Sequence, residues 1–180
     1  MTEDDGALDG WPDVVGDTAL TVKVPEADPL VRAGFPAHIT VLYPFLHVSR
    51  VDGAVHRDLT EVFSSHEAFE ITLAEFGRFP GVLFLAPRPA DPFKALTKEI
   101  IRRWPEAEPY RGIFGGELDP HLTIANSEGP GTCDAVYDGL EAELALSLPL
   151  TVRIAAVDLI VRDASDWRDR ATYPLGRAER

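Results

Sequence analysis

Phe35-Pro36-Ala37-His38-Ile39-Thr40-Val41-Leu42-Tyr43-Pro44-Phe45 is the stretch whose reading decides the fold of this chain. Ile39 and Val41 alternate with His38 and Thr40, and in an extended strand residues i and i+2 share a face. The run predicts a strand over Ala37 to Phe45, ending near Pro44, with apolar side chains in the core and an imidazole beside a hydroxyl on the opposite face. The same form recurs in the second half as His121-Leu122-Thr123-Ile124. Two copies at domain-scale spacing point to a duplicated half-site whose histidines face one another across a cleft. Paired imidazoles in that position suit general acid and general base catalysis on a phosphodiester.

Outward from the first tag, Thr18 to Val24 alternates and is β-branched, which predicts a strand ended by Pro25; Pro25 to Pro36 reads as a loop. Val55, Leu59, Val62 and Phe63 recur at near-helical spacing within Val51 to Glu67, predicting an amphipathic helix. Phe69 to Leu73 and Gly81 to Leu85 form a predicted hairpin through Phe79-Pro80-Gly81. A second helix is expected from Pro92 to Trp104, with Phe93, Leu96, Ile100 and Ile101 inward and Pro105 blocking continuation. Glu106 to Pro120 reads as loop and His121 to Ala125 as the second tag strand. A third helix follows from about Cys133 to Leu146, with Val136, Leu140, Leu144 and Ala145 expected inward. Leu150 to Arg162 is a long β-rich stretch, and Thr172 to Leu175 supplies a last short strand after a polar turn around Asp163 to Asp169.

On both sides of residue 90 the order is a tagged strand, a helix, then two strands, the pattern that duplication of a split βαβ unit leaves. The expected fold is α+β and bilobal, with two antiparallel sheets around a central cleft. Residues 1–17 read as a flexible lead-in and 18–180 as one bilobal domain, its lobes at roughly 18–90 and 91–175.

Composition narrows the function. With 180 residues and 45% hydrophobic content the chain can bury a substantial core. Its single Cys133 allows no intrachain disulfide and no cysteine cluster for structural zinc, which fits a reducing compartment, so a cytoplasmic location is expected. No run reaches the roughly 20 apolar residues of a membrane helix, and Met1-Thr2-Glu3-Asp4-Asp5 is acidic where a secretory signal is basic. A net charge of −13 opposes long duplex nucleic acid, whose affinity comes from neutralised phosphates, and favours a small substrate. Lys23, Arg32, Arg78, Arg88, Arg111, Arg153 and Arg162 remain available to line a locally basic cleft.

The two tags resemble the signature of the 2H phosphoesterase superfamily, His-x-Ser/Thr-x twice with apolar x, and match it in both copies, including Ile39, Val41, Leu122 and Ile124. Phe35 to Phe45 is similar to the first motif of the 2′-5′ RNA ligase-like branch. The resemblance implies a bilobal α+β fold with the active site between lobes. It also implies no metal or other cofactor, and cleavage or formation of 2′,3′-cyclic phosphates or 2′-5′ linkages. By motif position His38 and His121 become the acid/base pair, and Thr40 and Thr123 hold the phosphate. The implied partner is a small nucleotide-like or RNA-terminal phosphodiester. A binding module without turnover and a phosphoesterase for a non-nucleotide ester remain open.

The residue types suit that chemistry. Protons must move on opposite sides of phosphorus, and an unperturbed pKa of about 6.5 lets one imidazole be neutral while its partner is protonated. Thr hydroxyls donate to non-bridging oxygens, with few χ1 states to explore. Other candidates carry weaker signals. A metal held by His38, His121 and Asp119 lacks familiar ligand spacing. Tyr43 and Phe45 are available for base stacking but fit core packing better. His47, His56 and His66 read as surface or helix-face residues. Gly112 to Gly116 lacks a phosphate-loop ending and reads as a loop over the cleft.

Overall fold

Alternation along the two tags is realised as read. Ile39, Leu122 and Ile124 have no solvent exposure and Val41 is buried, while His38, Thr40, His121 and Thr123 are half-buried on the other face. A computed structural model of the chain describes residues 14–112, 119–126 and 134–176. It contains β1 (Thr18–Lys23), β2 (His38–Leu42), β3 (Phe69–Phe79), β4 (Val82–Arg88), β5 (Leu122–Ala125), β6 (Leu150–Ile154), β7 (Ala156–Arg162) and β8 (Trp167–Pro174). The α-helices are α1 (Gly53–Ser64), α2 (Asp91–Arg103) and α3 (Asp134–Leu144). The expected loop after β1 holds a short 3-10 helix, Pro25–Leu30.

The strands form one curled antiparallel sheet in the order β6-β3-β4-β5-β2-β1-β7-β8. Four strands lie on each side of a central seam, and the seam is formed by the two tag strands. β2 and β5 meet through Ile39 opposite Leu122. The expected pair of antiparallel sheets is thus two four-stranded halves joined along the seam.

The halves are not the sequence halves at 18–90 and 91–175. β7 returns from the C-terminal part to pair with β1 and carries β8 on its outer edge, while β3 pairs with β6 and β4 with β5. The chain crosses the seam after α1 and again at Ala155, where β6 leaves β3 and β7 begins on β1. Periodicity sets an element's type but not its neighbour, so this crossing has no signature in the strand pattern. The same step explains why Leu150 to Arg162 is two strands. Strand β8 starts at Trp167, earlier than expected, because the polar turn is compact: the Asp163 carboxylate accepts from the Ser165 and Asp166 amides at 2.9 and 2.8 Å.

The helices cover the sheet for ordinary reasons. Asp52 caps α1 by accepting from the Val55 amide at 3.0 Å, and Leu59, Val62 and Phe63 are buried as its spacing predicts. α2 buries Phe93, Leu96 and Ile100 and ends before Pro105, with Arg102 and Arg103 at the negative end of its dipole. Thr97 on its inner face donates to the Val41 carbonyl at 2.7 Å, which fixes α2 against β2. α3 departs from the expected inward set. Tyr137 and Leu144 are buried and Leu140 packs against the core, whereas Val136 and Ala145 are exposed. The Tyr137 hydroxyl explains the rotation, since it donates to the Gly81 carbonyl at 3.0 Å and turns that edge of the helix inward. Residues 1–13 of the expected lead-in (1–17), residues 113–116 of the expected loop over the cleft, and Cys133 lie outside the described residues. No described helix is long and apolar enough to cross a membrane.

Candidate active site

The antiparallel register at the seam brings the two tags together. With Ile39 opposite Leu122, carrying the register one residue either way sets His38 opposite Thr123 and Thr40 opposite His121. Each imidazole thus neighbours the other strand's hydroxyl on one face of the sheet. The two halves are also joined by the Arg32 amide, which donates to the Ile124 carbonyl at 2.7 Å.

Both rings are oriented in the same way. His38 Nδ1 lies 2.9 Å from the Pro36 carbonyl, and His121 Nδ1 lies 3.0 Å from the Asp119 carbonyl, in each case two residues upstream. A carbonyl only accepts, so each Nδ1 carries the proton and donates it. Nε2 is left as the exchangeable position on both rings. Aromatic edges brace them: Phe35 stands at 5.3 Å from His38, and Phe79 and Phe84 at 5.1 and 5.3 Å from His121, between ring centroids. Phe84 can lie there because it is opposite Gly77, where a Cβ would come within 2.4 Å of its ring.

Burial lowers the pKa of both histidines from the ordinary imidazole value, and the backbone hydrogen bond of each opposes that shift in part. His121 is pushed down further by the positive charge that His38 carries when protonated, with the nearby Asp119 carboxylate acting in the opposite direction. The two rings therefore sense one another. Near neutral pH these shifts favour the neutral form of both imidazoles, and any anion placed beside them would favour the charged form instead.

Beside His121 and Thr40 opens a cavity of about 360 Å³. Leu42, Phe93, Ile101 and Tyr110 give it an apolar wall, and Lys94 and Lys98 of α2 add charge. Three features of this site lie beyond the sequence reading. Tyr110 hydrogen-bonds the Thr40 side chain, and burial pushes its phenol up to about 12, so it keeps its proton at any physiological pH. Its backbone is left-handed (φ 50°), as is that of Arg111 (φ 51°), and its amide donates to the Tyr43 carbonyl at 2.6 Å. A bulky residue in that region is costly and held only by surrounding structure. Lys94 pairs with the Asp119 carboxylate at 3.0 Å, tethering to α2 the residue whose carbonyl orients His121. The only sequence signal for the lysines is their i, i+4 spacing on the face that carries Thr97 and Ile101.

Most cations expected to line a basic cleft do something else. Lys23 pairs with Asp169, Arg32 with Glu143, Arg78 with Asp138 and Glu141, Arg88 with Glu75, and Arg111 with Asp17. None of these five, nor Arg153 or Arg162, lines the cavity at the tags. Tyr43 and Phe45 are core residues: Tyr43 packs edge-on against Tyr110 and Trp167, and Phe45 against Trp104. His47 and His56 serve local structure, through Ser49 and the Tyr173 hydroxyl respectively. Among the described residues no group of three or more His, Cys, Asp or Glu side chains is placed to hold a metal ion.

A family model described as the 2′-5′ RNA ligase superfamily matches residues 20–166. The fold is similar to that of E. coli LigT solved with 3′-AMP, with a TM-score of 0.60 and 13% identity over 91% of this chain and 100% of that one. A structure described as a phosphoesterase gives a TM-score of 0.61 at 12% identity, over 91% and 100% of the two chains. TT0787 of Thermus thermophilus gives 0.59 at 17%, over 90% and 100%. A comparison with curated proteins gives no match.

Proposed function

The chain belongs to the 2′-5′ RNA ligase superfamily, and from that premise we propose that it hydrolyses a 2′,3′-cyclic phosphate or a 2′-5′ phosphodiester of a nucleotide or RNA end without a metal. Family and fold together support a phosphoesterase or 2′-5′ RNA ligase-like activity. In this reading His38 and His121 are the acid/base pair, and Thr40 and Thr123 hold the non-bridging oxygens. The observation that carries it is the matched orientation of two imidazoles, each giving Nδ1–H to a carbonyl two residues upstream. Each ring thereby has a defined proton-exchanging nitrogen.

For a cyclic phosphate, one neutral Nε2 takes a proton from the attacking water while the protonated ring gives one to the leaving ribose oxygen. The P–O bond to that oxygen breaks as the bond to water oxygen forms, and the product is a phosphomonoester. Thr hydroxyls and backbone amides stabilise the charge that builds on the equatorial oxygens. Which ring is base follows from how the substrate lies, and reversal exchanges the roles. Hydrolysis is the favoured direction at high water activity, and no phosphate-loop motif is present in the sequence to couple joining to a nucleoside triphosphate. The single cysteine fits a cytoplasmic setting.

The test is turnover of a 2′,3′-cyclic nucleotide panel in the presence of EDTA. Activity that persists with chelator and is abolished in His38→Ala and in His121→Ala supports the reading. Tight binding of phosphodiesters with no turnover across the panel identifies a phosphate-binding module instead.

A further inference from the structure

The charge around the cavity beside His121 is unlike that of the rest of the molecule. The chain carries a net charge of −13, and most cations near the sheet are neutralised by carboxylates. Among the described residues, the charged ones lining this cavity, apart from the imidazole, are Lys94, Lys98 and Asp119, two cations against one anion. Lys94 is paired with Asp119. Lys98, exposed and one helical turn along, is paired with no carboxylate among the described residues. The neighbouring cavity, of about 640 Å³ on the far side of Lys94, balances Arg88 and Lys94 against Glu75 and Asp119. Counted over the described residues, the first has the surplus, carried by Lys98, and it shares Thr40 and His121 with the seam.

We propose that this cavity is a second anion subsite, in which Lys94 and Lys98 hold a phosphate attached through the 5′ oxygen of the ribose whose 2′ or 3′ oxygen bears the reacting phosphorus. The inference rests on the acid/base reading of the tags and adds the substrate class. A ribose phosphorylated at its 2′ and 3′ positions has one remaining exocyclic carbon that carries phosphate, the 5′ carbon, so a second phosphate on the same sugar sits there. The apolar wall of Leu42, Phe93, Ile101 and Tyr110 accepts the sugar between the two anions. The favoured substrate is then a 5′-phosphorylated nucleotide or an RNA 3′ end, and a cyclic nucleotide with a free 5′ hydroxyl is a poorer one.

Calorimetry on the full chain compares a nucleoside 2′-monophosphate with the 2′,5′-bisphosphate. The bisphosphate is expected to bind about 10-fold tighter at low salt, with the advantage shrinking as salt screens the lysines. Lys98→Met is expected to remove about 3- to 5-fold of that advantage and Lys98→Arg to retain it, the bisphosphate losing more affinity than the monophosphate in Lys98→Met. A 5′-linked phosphodiester as a third probe separates the sources: a gain shared by the diester assigns the subsite to an RNA chain, and a gain restricted to the monoester assigns it to a free 5′ phosphate. Equal affinity for mono- and bisphosphate in the wild type, or an advantage that Lys98→Met leaves intact, overturns the inference. An intact lysine-dependent advantage without turnover of any cyclic phosphate overturns the catalytic reading alone.

Discussion

The β2 and β5 half-sites carry the same pattern, a histidine and a threonine alternating with two aliphatic residues, but are supported in different ways. His38 and Thr40 sit inside a strand with neighbours on both sides, β1 along four register pairs and β5 at the seam. Thr40 is further held by Tyr110, whose left-handed backbone is pinned to the end of β2. His121 precedes its strand and takes its orientation from a short approach, Asp119-Pro120, which Lys94 ties to α2. Its ring rests on Phe79 and Phe84 and feels the charge of its partner. Equivalent ring orientation is thus produced by a strand on one side and by a tethered, aromatic-braced approach on the other. The half-sites match in how the rings are aimed, not in how they are built.

The largest effect erases the comparison. His38→Ala and His121→Ala are each expected to lower kcat at least about 100-fold, close to 3 kcal/mol of barrier, measured on a 2′,3′-cyclic nucleotide. The double variant is expected to lose little more than either single one, since the rings act as a unit. Multiplicative losses would assign them separate tasks.

Gly77→Ala breaks one side only. Its new Cβ would meet the Phe84 ring at 2.4 Å, so the ring must leave its place against His121. A stability loss of about 1–3 kcal/mol in denaturant unfolding is expected. NMR shifts are expected to move at His121 and to stay unchanged at His38.

Tyr110→Phe probes the other side. Losing the hydroxyl bound to Thr40 is expected to cost about 1 kcal/mol, roughly 5-fold in kcat, with the fold unchanged by circular dichroism. In a double-mutant cycle the loss is expected to vanish when Thr40 is already Val and to persist when Thr123 is Val.

The smallest effects concern protons. His38→Gln removes the charge that holds His121 down, so His121 is expected to titrate closer to 6.5 while burial still keeps it below that value. Stability follows the same sign. Folded pKa values below the unfolded 6.5 mean that the unfolded chain binds more protons in the interval between them. The contribution is complete above pH 6.5 and is lost as pH falls through the folded values. The double variant with Gln at both positions is expected to show a flatter fall of Tm with pH across that window.

The difference between half-sites marks what a sequence can disclose. Alternation at Ile39, Val41, Leu122 and Ile124 reports which face each tag presents, because burial acts on every second residue. Helical spacing at Leu59, Val62, Phe63, Phe93, Leu96 and Ile100 reports the covering layer in the same way. Pairing is a tertiary choice, so the return of β7 to β1 and the seam between β2 and β5 leave no local trace. Tyr110 was equally hidden, since its place depends on consecutive left-handed residues that its own side chain disfavours. Val136 shows the limit of periodicity in α3: Tyr137, Leu140 and Leu144 form an equally regular stripe, and with the Tyr137 hydroxyl on the Gly81 carbonyl that stripe faces inward and Val136 faces solvent.

The central claim is that both rings flank a single anion, and the direct measurement is an NMR titration of His38 and His121 with and without a nucleoside 2′-phosphate. One equivalent is expected to raise the pKa of both rings together, saturating at a one-to-one ratio. A ligand that binds stoichiometrically while either ring titrates as before would contradict the account.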